Sequence, residues 1–178
     1  QRIFAKRVNF GVLYGMGAFR LARDSDLTLA QANDFIKTYF ARLPNVQVYL
    51  DTAKQLAYDM GYLTTLFGRR RTFPGLHEAN RNVRAQAERE AINMPIQGTA
   101  ADIIKQAMVE LQPQLAALNT HMLLQVHDEL VLEVPEDRVL EAAQLVVRTM
   151  EGVVRLDAPL RANAAAGLNW RDVQDVGL

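Results

Sequence analysis

The chain has 178 residues, no cysteine, and equal numbers of basic and acidic side chains, so its formal net charge at pH 7 is zero. The lack of cysteine excludes disulfides and thiolate metal sites. No apolar run approaches the roughly 20 residues needed to cross a bilayer, so we expect no membrane partner. With 49% apolar residues, the composition fits one ordinary globular domain or a piece of a larger one.

The charges are unevenly distributed along the chain. One basic stretch contains Glu78 and Glu88 as its only acidic residues, and its arginines are Arg69, Arg70, Arg71, Arg81, Arg84 and Arg89. Guanidinium groups form planar, bidentate contacts with phosphates. The clustering therefore favours a polyanionic partner despite the neutral total.

The sequence of the first third of the chain predicts three helices, whose ends are marked by capping residues, glycine or proline. The apolar spacing predicts helices over 2–14, 28–43 and 45–60. A capping box at Thr28–Gln31 begins the second helix, and Gly61 ends the third.

The middle of the chain predicts a hairpin and two helices. The hairpin covers 62–73 around Gly68-Arg69, and an arginine-rich helix follows over 78–93. Because proline cannot continue a helical hydrogen-bond ladder, we expect Pro95 to break this helix and Gly98 to begin another that reaches about residue 118.

The last third predicts a second hairpin, with His127-Asp128 at its turn, between two apolar runs. A helix is expected from Pro135 to about residue 154, and a final strand over 160–165. The predicted fold class is therefore α+β and mostly helical, with an antiparallel hairpin that carries His127-Asp128-Glu129.

The acidic pair Asp128-Glu129 is the most informative feature of the sequence. Two adjacent carboxylates repel each other and lose hydration near a core, unless a divalent metal supplies positive charge. Two-metal phosphoryl transfer needs several carboxylates around two ions, so this pair is only part of such a site.

A stripe of two cations and two aromatic rings runs along the first helix. Its residues are Arg2, Lys6, Phe10 and Tyr14, each four positions after the last. Four residues turn a helix by about 400° and climb about 6 Å, so the side chains share one slowly wrapping face. Such a face suits a nucleotide, with phosphates at one end and a flat base at the other. The alternative is a solvated basic helix end with Phe10 and Tyr14 in the core.

Three motifs resemble DNA polymerases of the A family, the bacterial DNA polymerase I type. The first is Arg2 followed by residues 6–16, the second is 93–102, and the third is 125–131. They lie in the family order, and the segments 65–71 and 167–170 are also similar to it. The resemblance covers essentially the whole chain and implies part of a polymerase fold.

The resemblance implies a nucleotide site on the first helix. Arg2 and Lys6 would hold the phosphates of the incoming deoxynucleoside triphosphate, and Lys6 would protonate the pyrophosphate leaving group. Phe10 would pack on the incoming sugar and base and discriminate against dideoxynucleotides. Tyr14 would lie at the template-base pocket.

The resemblance also implies the catalytic and DNA-binding residues. Asp128 would bind metal, with two Mg²⁺ ions in the complete enzyme; Glu129 would be a nearby acid of lesser role, and His127 would touch the primer end. Primer–template DNA would be contacted by Arg89, Asn93 and Gln97 in the minor groove and by Arg69, Arg70 and Arg71 at the duplex backbone.

The resemblance implies a second metal-binding aspartate upstream of Gln1, because the family's earlier palm motif precedes the nucleotide-binding helix. Asp24, Asp26 and Asp102 lack the strand context needed to replace it. The missing N-terminal part of the same polymerase is therefore an expected partner, and the chain alone is expected to be inactive. Residues 1–60 would belong to the fingers and 61–178 to the palm. The location implied is the bacterial cytoplasm, in association with the nucleoid.

Two other classes of function stay open on the residues alone. The arginine clusters also suit a non-catalytic nucleic-acid-binding module, which needs no Asp128. A metal-dependent nuclease or phosphohydrolase would need clustered His and Asp ligands, and the chain has only three histidines.

Without the upstream strand, the Asp128 hairpin would leave an open edge and a bare apolar face, so we expect self-association or marginal stability. Light scattering at high concentration measures this directly. A clean monomer would count against the expectation.

Overall fold

The computed structural model describes residues 2–178, apart from the side chains at positions 3, 4 and 7. Its helices are α1 (Arg2–Leu13), α2 (Ala18–Arg23), α3 (Leu29–Arg42), α4 (Pro44–Met60), α5 (Arg81–Ala116) and α6 (Val139–Gly152). Its antiparallel pairs are β1 (Tyr62–Thr64) with β2 (Arg70–Thr72), β3 (His121–Val126) with β4 (Glu129–Glu133), and β5 (Ala165–Ala166) with β6 (Gln174–Asp175). The predicted α+β, mostly helical class is confirmed. The chain forms two compact units, one ending at Gly98 and the other covering Thr99–Leu178.

The end signals read from the sequence act as predicted. The Gln31 backbone N–H donates to Thr28 Oγ1 at 3.3 Å, and the Thr28 N–H donates to Gln31 Oε1 at 2.8 Å, which forms the capping box. Pro44 occupies the first turn of α4, where its missing N–H costs nothing. Gly61 ends α4 with φ of 72°, a left-handed conformation that glycine adopts without strain.

The first unit has two clusters of buried apolar side chains. One joins α1, α2 and α3 through Val8, Val12, Leu21 and Ala32. The sequence patterns do not predict α2, which has only six residues. The other cluster joins α4, the first hairpin and α5 through Leu50, Ala53, Ala57, Leu63, Phe73, Leu76, Ala87, Ala91, Ile92 and Met94.

The β1–β2 hairpin confirms the prediction around Gly68 and separates its side chains onto two faces. Successive residues of a strand point to opposite sides of a sheet. Leu63 pairs with Arg71, and Leu63 is buried in the cluster with α5, so Arg71 lies on that face. Arg70 lies on the other face, where its guanidinium carbon is 4.8 Å from the centre of the Tyr62 ring.

The predicted helix break at Pro95 is wrong, because α5 runs without interruption from Arg81 to Ala116. Gly98 therefore does not begin a new helix. The residues just before the proline explain the difference: Ala91, Ile92 and Met94 are buried in the core of the first unit. Their burial fixes the helical path through a position that local propensity alone would end.

The second unit is built on the C-terminal part of α5, whose Ile104, Ala107, Leu111 and Leu115 are buried at helical spacing. The predicted β3–β4 hairpin is present, with a bulge between Met122 and Leu124. Neither strand pairs with a third strand among the described residues. Leu123 and Leu124 are both more than half exposed.

Two predictions for the C-terminal region are wrong in their bounds. Helix α6 begins at Val139, because Pro135 is extended and a 3₁₀ turn over Glu136–Arg138 comes first; it ends at Gly152. The strand expected over 160–165 is absent from the described chain, apart from Ala165, which begins the two-residue strand β5. Alanine-rich sequence has little β propensity, which is consistent with that short pairing. Among residues 2–178, no helix is both long and apolar enough to span a bilayer.

Gly98→Ala is expected to destabilise the first unit by about 1–3 kcal/mol, because overpacking forces neighbouring groups to shift. A Cβ at this position would lie 2.8 Å from Thr65 Cγ2, and Thr65 is buried. The matched control is Gly152→Ala on α6, where a Cβ meets nothing within 4 Å. Urea unfolding followed by circular dichroism measures both. Equal stability of the two variants would contradict the close approach.

Candidate functional site

Three members of the stripe on α1 form a continuous row of side chains. Lys6 Nζ lies 6.0 Å from the centre of the Phe10 ring, and the Phe10 and Tyr14 ring centres are 6.1 Å apart at an interplanar angle of 28°. Arg2, Lys6 and Phe10 are exposed, and Tyr14 is half-buried. Cations and stacked rings are thus presented together, as the four-residue spacing predicts.

The opposite face of α1 carries the packing. Val8 and Val12, which lie about 200° around the helix from Phe10, are buried at 7% and 1% exposure. Phe10 is 43% exposed, so the alternative that places its ring in the core is wrong. The helix therefore folds on its valines and leaves the stripe accessible.

One hydrogen bond and one close approach locate α1 within the first unit. The Tyr39 hydroxyl on α3 donates to Asn9 Oδ1 at 2.8 Å. Gly15, just past the end of α1, has φ of 83°, and a Cβ there would lie 3.4 Å from Arg89 Cγ. The end of the stripe is thereby next to Arg89, a predicted DNA contact.

Most of the predicted DNA-binding residues of the first unit come together around one polar pocket. The pocket has a volume of about 280 Å³ and is lined by Arg69, Arg71, Glu90, Asn93, Met94, Gln97 and Gly98. Asn93 Oδ1 is buried and has no hydrogen-bond partner among the described residues. Because buried polar atoms normally have partners, this oxygen is an unsatisfied acceptor in a residue that lines the pocket.

The three hairpin arginines have different surroundings. Arg69 Nη2 donates to the Gly98 carbonyl at 2.9 Å, and Arg71 Nη2 lies 2.7 Å from Glu90 Oε2. Arg70 instead stacks over Tyr62 on the opposite face. Two of these cations are therefore engaged with α5.

Glu90, which none of the sequence motifs includes, also lines this pocket. Helical periodicity could have predicted its position, since Glu90, Asn93 and Gln97 follow the spacing i, i+3 and i+7 of one helical face. Its ion pair with Arg71 joins residues 19 positions apart in the sequence, and no local pattern predicts such a contact.

In the second unit, His127 and Asp128 form a two-residue turn, since Val126 pairs with Glu129 across the hairpin. His127 has φ of 57°, a left-handed conformation uncommon outside glycine and asparagine. The Gln125 side-chain amide donates to the His127 carbonyl. His127, Asp128 and Glu129 are all exposed, so the burial cost expected for the acidic pair does not arise within this chain.

A complete metal site is not formed by the residues that the structure describes. Asp128 and Glu129 supply oxygen ligands of the kind that Mg²⁺ prefers. No group of three or more His, Asp or Glu side chains among residues 2–178 could hold a metal ion.

Comparison with known families gives the class of protein. The family model described as DNA polymerase family A matches residues 1–172. The chain belongs to DNA polymerase family A.

Individual relatives agree with this assignment. DNA polymerase I of Deinococcus radiodurans is 51% identical over 174 residues, which are 98% of this chain and 18% of that protein. The thermostable DNA polymerase I of Thermus filiformis is 50% identical over 174 residues, 98% of this chain and 21% of the relative. The chain thus spans about a fifth of the length of these relatives.

A solved structure shows the same fold. It is the POL domain of Pol1 from M. smegmatis, in complex with DNA primer-template and dNTP. The match has a TM-score of 0.84 and 42% identity, and it covers 90% of this chain and 29% of that one.

Phe10→Ala and Val12→Ala should separate the two faces of α1. Removing the exposed ring should cost about 1 kcal/mol or less in unfolding free energy. Truncating the buried Val12 should cost about 2 kcal/mol, because it leaves a cavity. Urea unfolding of both variants tests this difference. A larger loss for Phe10→Ala would show that its ring belongs to the core.

Proposed function

We propose that this chain supplies the nucleotide-binding helix and one metal-binding carboxylate of a DNA-directed DNA polymerase, which adds deoxynucleotides to a primer 3′ end. The observation that carries the proposal is the accessible row of Lys6, Phe10 and Tyr14 on α1, in a chain of DNA polymerase family A. In this proposal residues 1–60 belong to the fingers and 61–178 to the palm.

The nucleotide-binding step follows from the order of side chains along α1. Arg2 and Lys6 bind the triphosphate, since a guanidinium grips phosphate oxygens in a fork and an ammonium acts as a point charge. Phe10 and Tyr14 offer faces on which a base and sugar can pack. Lys6, next to the phosphates, can also donate a proton to the leaving pyrophosphate.

Primer–template DNA is proposed to bind at the face of Arg89, Asn93 and Gln97. The minor groove presents acceptors at similar positions in every base pair, so amide and guanidinium donors recognise its shape without reading sequence. The relative from M. smegmatis was solved with primer-template DNA and dNTP, which supports these two partners.

Asp128 is proposed to be one ligand of a Mg²⁺ site whose other carboxylates come from outside the described residues. When bound, the metal supplies positive charge to the reacting phosphate and the attacking 3′ hydroxyl. The exposure of Asp128 at the tip of a two-residue turn leaves its oxygens accessible for that purpose. His127 and Glu129 flank it, as a primer contact and a secondary acid.

Catalysis is best tested in a chimera, in which this chain replaces the matching 174-residue segment of the D. radiodurans polymerase. We expect the chimera to extend a primer with Mg²⁺ and all four deoxynucleotides, and Asp128→Asn to lower the rate at least about 100-fold. The control is Asp137→Asn, whose side chain is 82% exposed on the turn before α6. Equal activity of the two variants would contradict the role of Asp128.

The same assay examines the isolated chain, which should not extend a primer. Extension by the chain alone, lost in Asp128→Asn, would show that these residues complete the metal site themselves. Chimeras that bind DNA normally yet never extend it would favour a metal-independent nucleic-acid-binding module. The incomplete acidic set among the described residues is the observation that favours this second candidate.

Lys6→Ala should weaken the binding of a deoxynucleoside triphosphate to the chain about tenfold, because a phosphate contact to a charged group is lost. The control is Lys37→Ala on α3, another exposed lysine outside the stripe. Isothermal titration calorimetry at two salt concentrations measures both variants. A loss of the same size at Lys37 would indicate non-specific charge attraction.

A further inference from the structure

The β1–β2 hairpin holds α5 at two separate points. Arg71 reaches Glu90 with an N–O distance of 2.7 Å, and Arg69 reaches the Gly98 carbonyl at 2.9 Å. Arg69, just before β2, and Arg71, within β2, thus contact helix positions eight residues apart, which is about 12 Å along the axis.

The helical segment between these points contains Pro95. A proline inside a helix has no N–H to donate, and its ring crowds the carbonyl one turn earlier. The hairpin contacts lie on either side of it, at Glu90 before and Gly98 after. The hairpin therefore bridges the position at which Pro95 cannot donate a backbone hydrogen bond within α5.

The predicted DNA contacts Asn93 and Gln97 lie within the bridged segment, one on each side of Pro95. Both line the polar pocket together with Arg69, Arg71 and Glu90. A change in the helical path at Pro95 would move the two amides relative to each other. Their spacing consequently depends on what holds the segment.

Glu90 has both carboxylate oxygens engaged. Oε2 pairs with Arg71, and Oε1 accepts from Gln86 Nε2 at 3.0 Å. Arg71 is also placed from its other side, with its guanidinium carbon 5.5 Å from the centre of the buried Phe73 ring. The positive charge of Arg71 is therefore paired with Glu90, and its guanidinium group lies against α5.

We propose that Glu90, through Arg71, is a positioning residue for primer–template DNA. In this proposal the hairpin contacts α5 on both sides of Pro95 and thereby sets the spacing of Asn93 and Gln97. This inference rests on the proposed function for its DNA. It also revises the expectation for the hairpin, since Arg69 and Arg71 become internal contacts and only Arg70 faces away from α5.

The test is a double-mutant cycle in the full chain, with Arg71→Ala, Glu90→Ala, the double variant, and the charge swap Arg71→Glu with Glu90→Arg. Two quantities are measured: the affinity for a primer–template duplex over a range of salt, and amide hydrogen exchange over residues 91–99. The control pair is Arg138 and Glu141, also exposed and 2.8 Å apart.

If Glu90 is a positioning residue, both single variants should bind the duplex about tenfold more weakly, and the double variant no more weakly than either. The slope of affinity against salt should stay unchanged, because no phosphate contact is lost. Exchange over 91–99 should be faster, and the swap should restore both quantities. The control pair should change neither.

A direct phosphate contact by Arg71 predicts a different pattern. Arg71→Ala alone would then weaken binding and reduce the salt slope by about one, whereas Glu90→Ala would leave the affinity unchanged or raise it. That result, or unchanged exchange over 91–99, would overturn the proposal. Glu90→Gln, which can still accept from Gln86, replaces Glu90→Ala if that variant does not fold, and Arg71→Gln replaces Arg71→Ala in the same way.

The outcomes also separate this inference from the proposed function. If the chimera with the D. radiodurans polymerase binds no primer–template duplex, the proposed function fails. The exchange measurement then still decides whether the hairpin supports the helix at Pro95.

Discussion

The passage of α5 through Pro95 is the constraint on which the first unit depends. An interior proline costs a helix about 3 kcal/mol. Burying one large apolar side chain contributes about 1.5–3 kcal/mol, and both Ile92 and Met94 are buried in this segment. Packing therefore outweighs the local cost, and a single helical face can carry Glu90, Asn93 and Gln97.

On α1, buried packing residues and exposed cations and rings likewise occupy separate faces. Its valines pack against α2 and α3, and its cations and rings occupy the other side. In the proposed function, stability and ligand binding thus depend on different residues of one helix. Phe10, at 43% exposure, is not part of the core, so its ring is free to serve the proposed nucleotide contact.

Local signals explain which parts of the fold were predictable. The Thr28 capping box, Gly61 and the Gly68 hairpin are specified by residues a few positions apart, and the sequence predicts them correctly. The path through Pro95 and the Glu90 ion pair depend on contacts between distant segments, which a local pattern does not contain. The stripe on α1 could be predicted from the sequence, because helical periodicity alone places its members on one face.

The left-handed conformation of His127 has a consequence for how its role can be assigned. At a positive φ, asparagine and glycine are tolerated far better than alanine or a β-branched residue. An alanine scan at this turn would therefore mix loss of the imidazole with distortion of the backbone that presents Asp128. Asparagine is the informative replacement, because it removes the ring and keeps the turn.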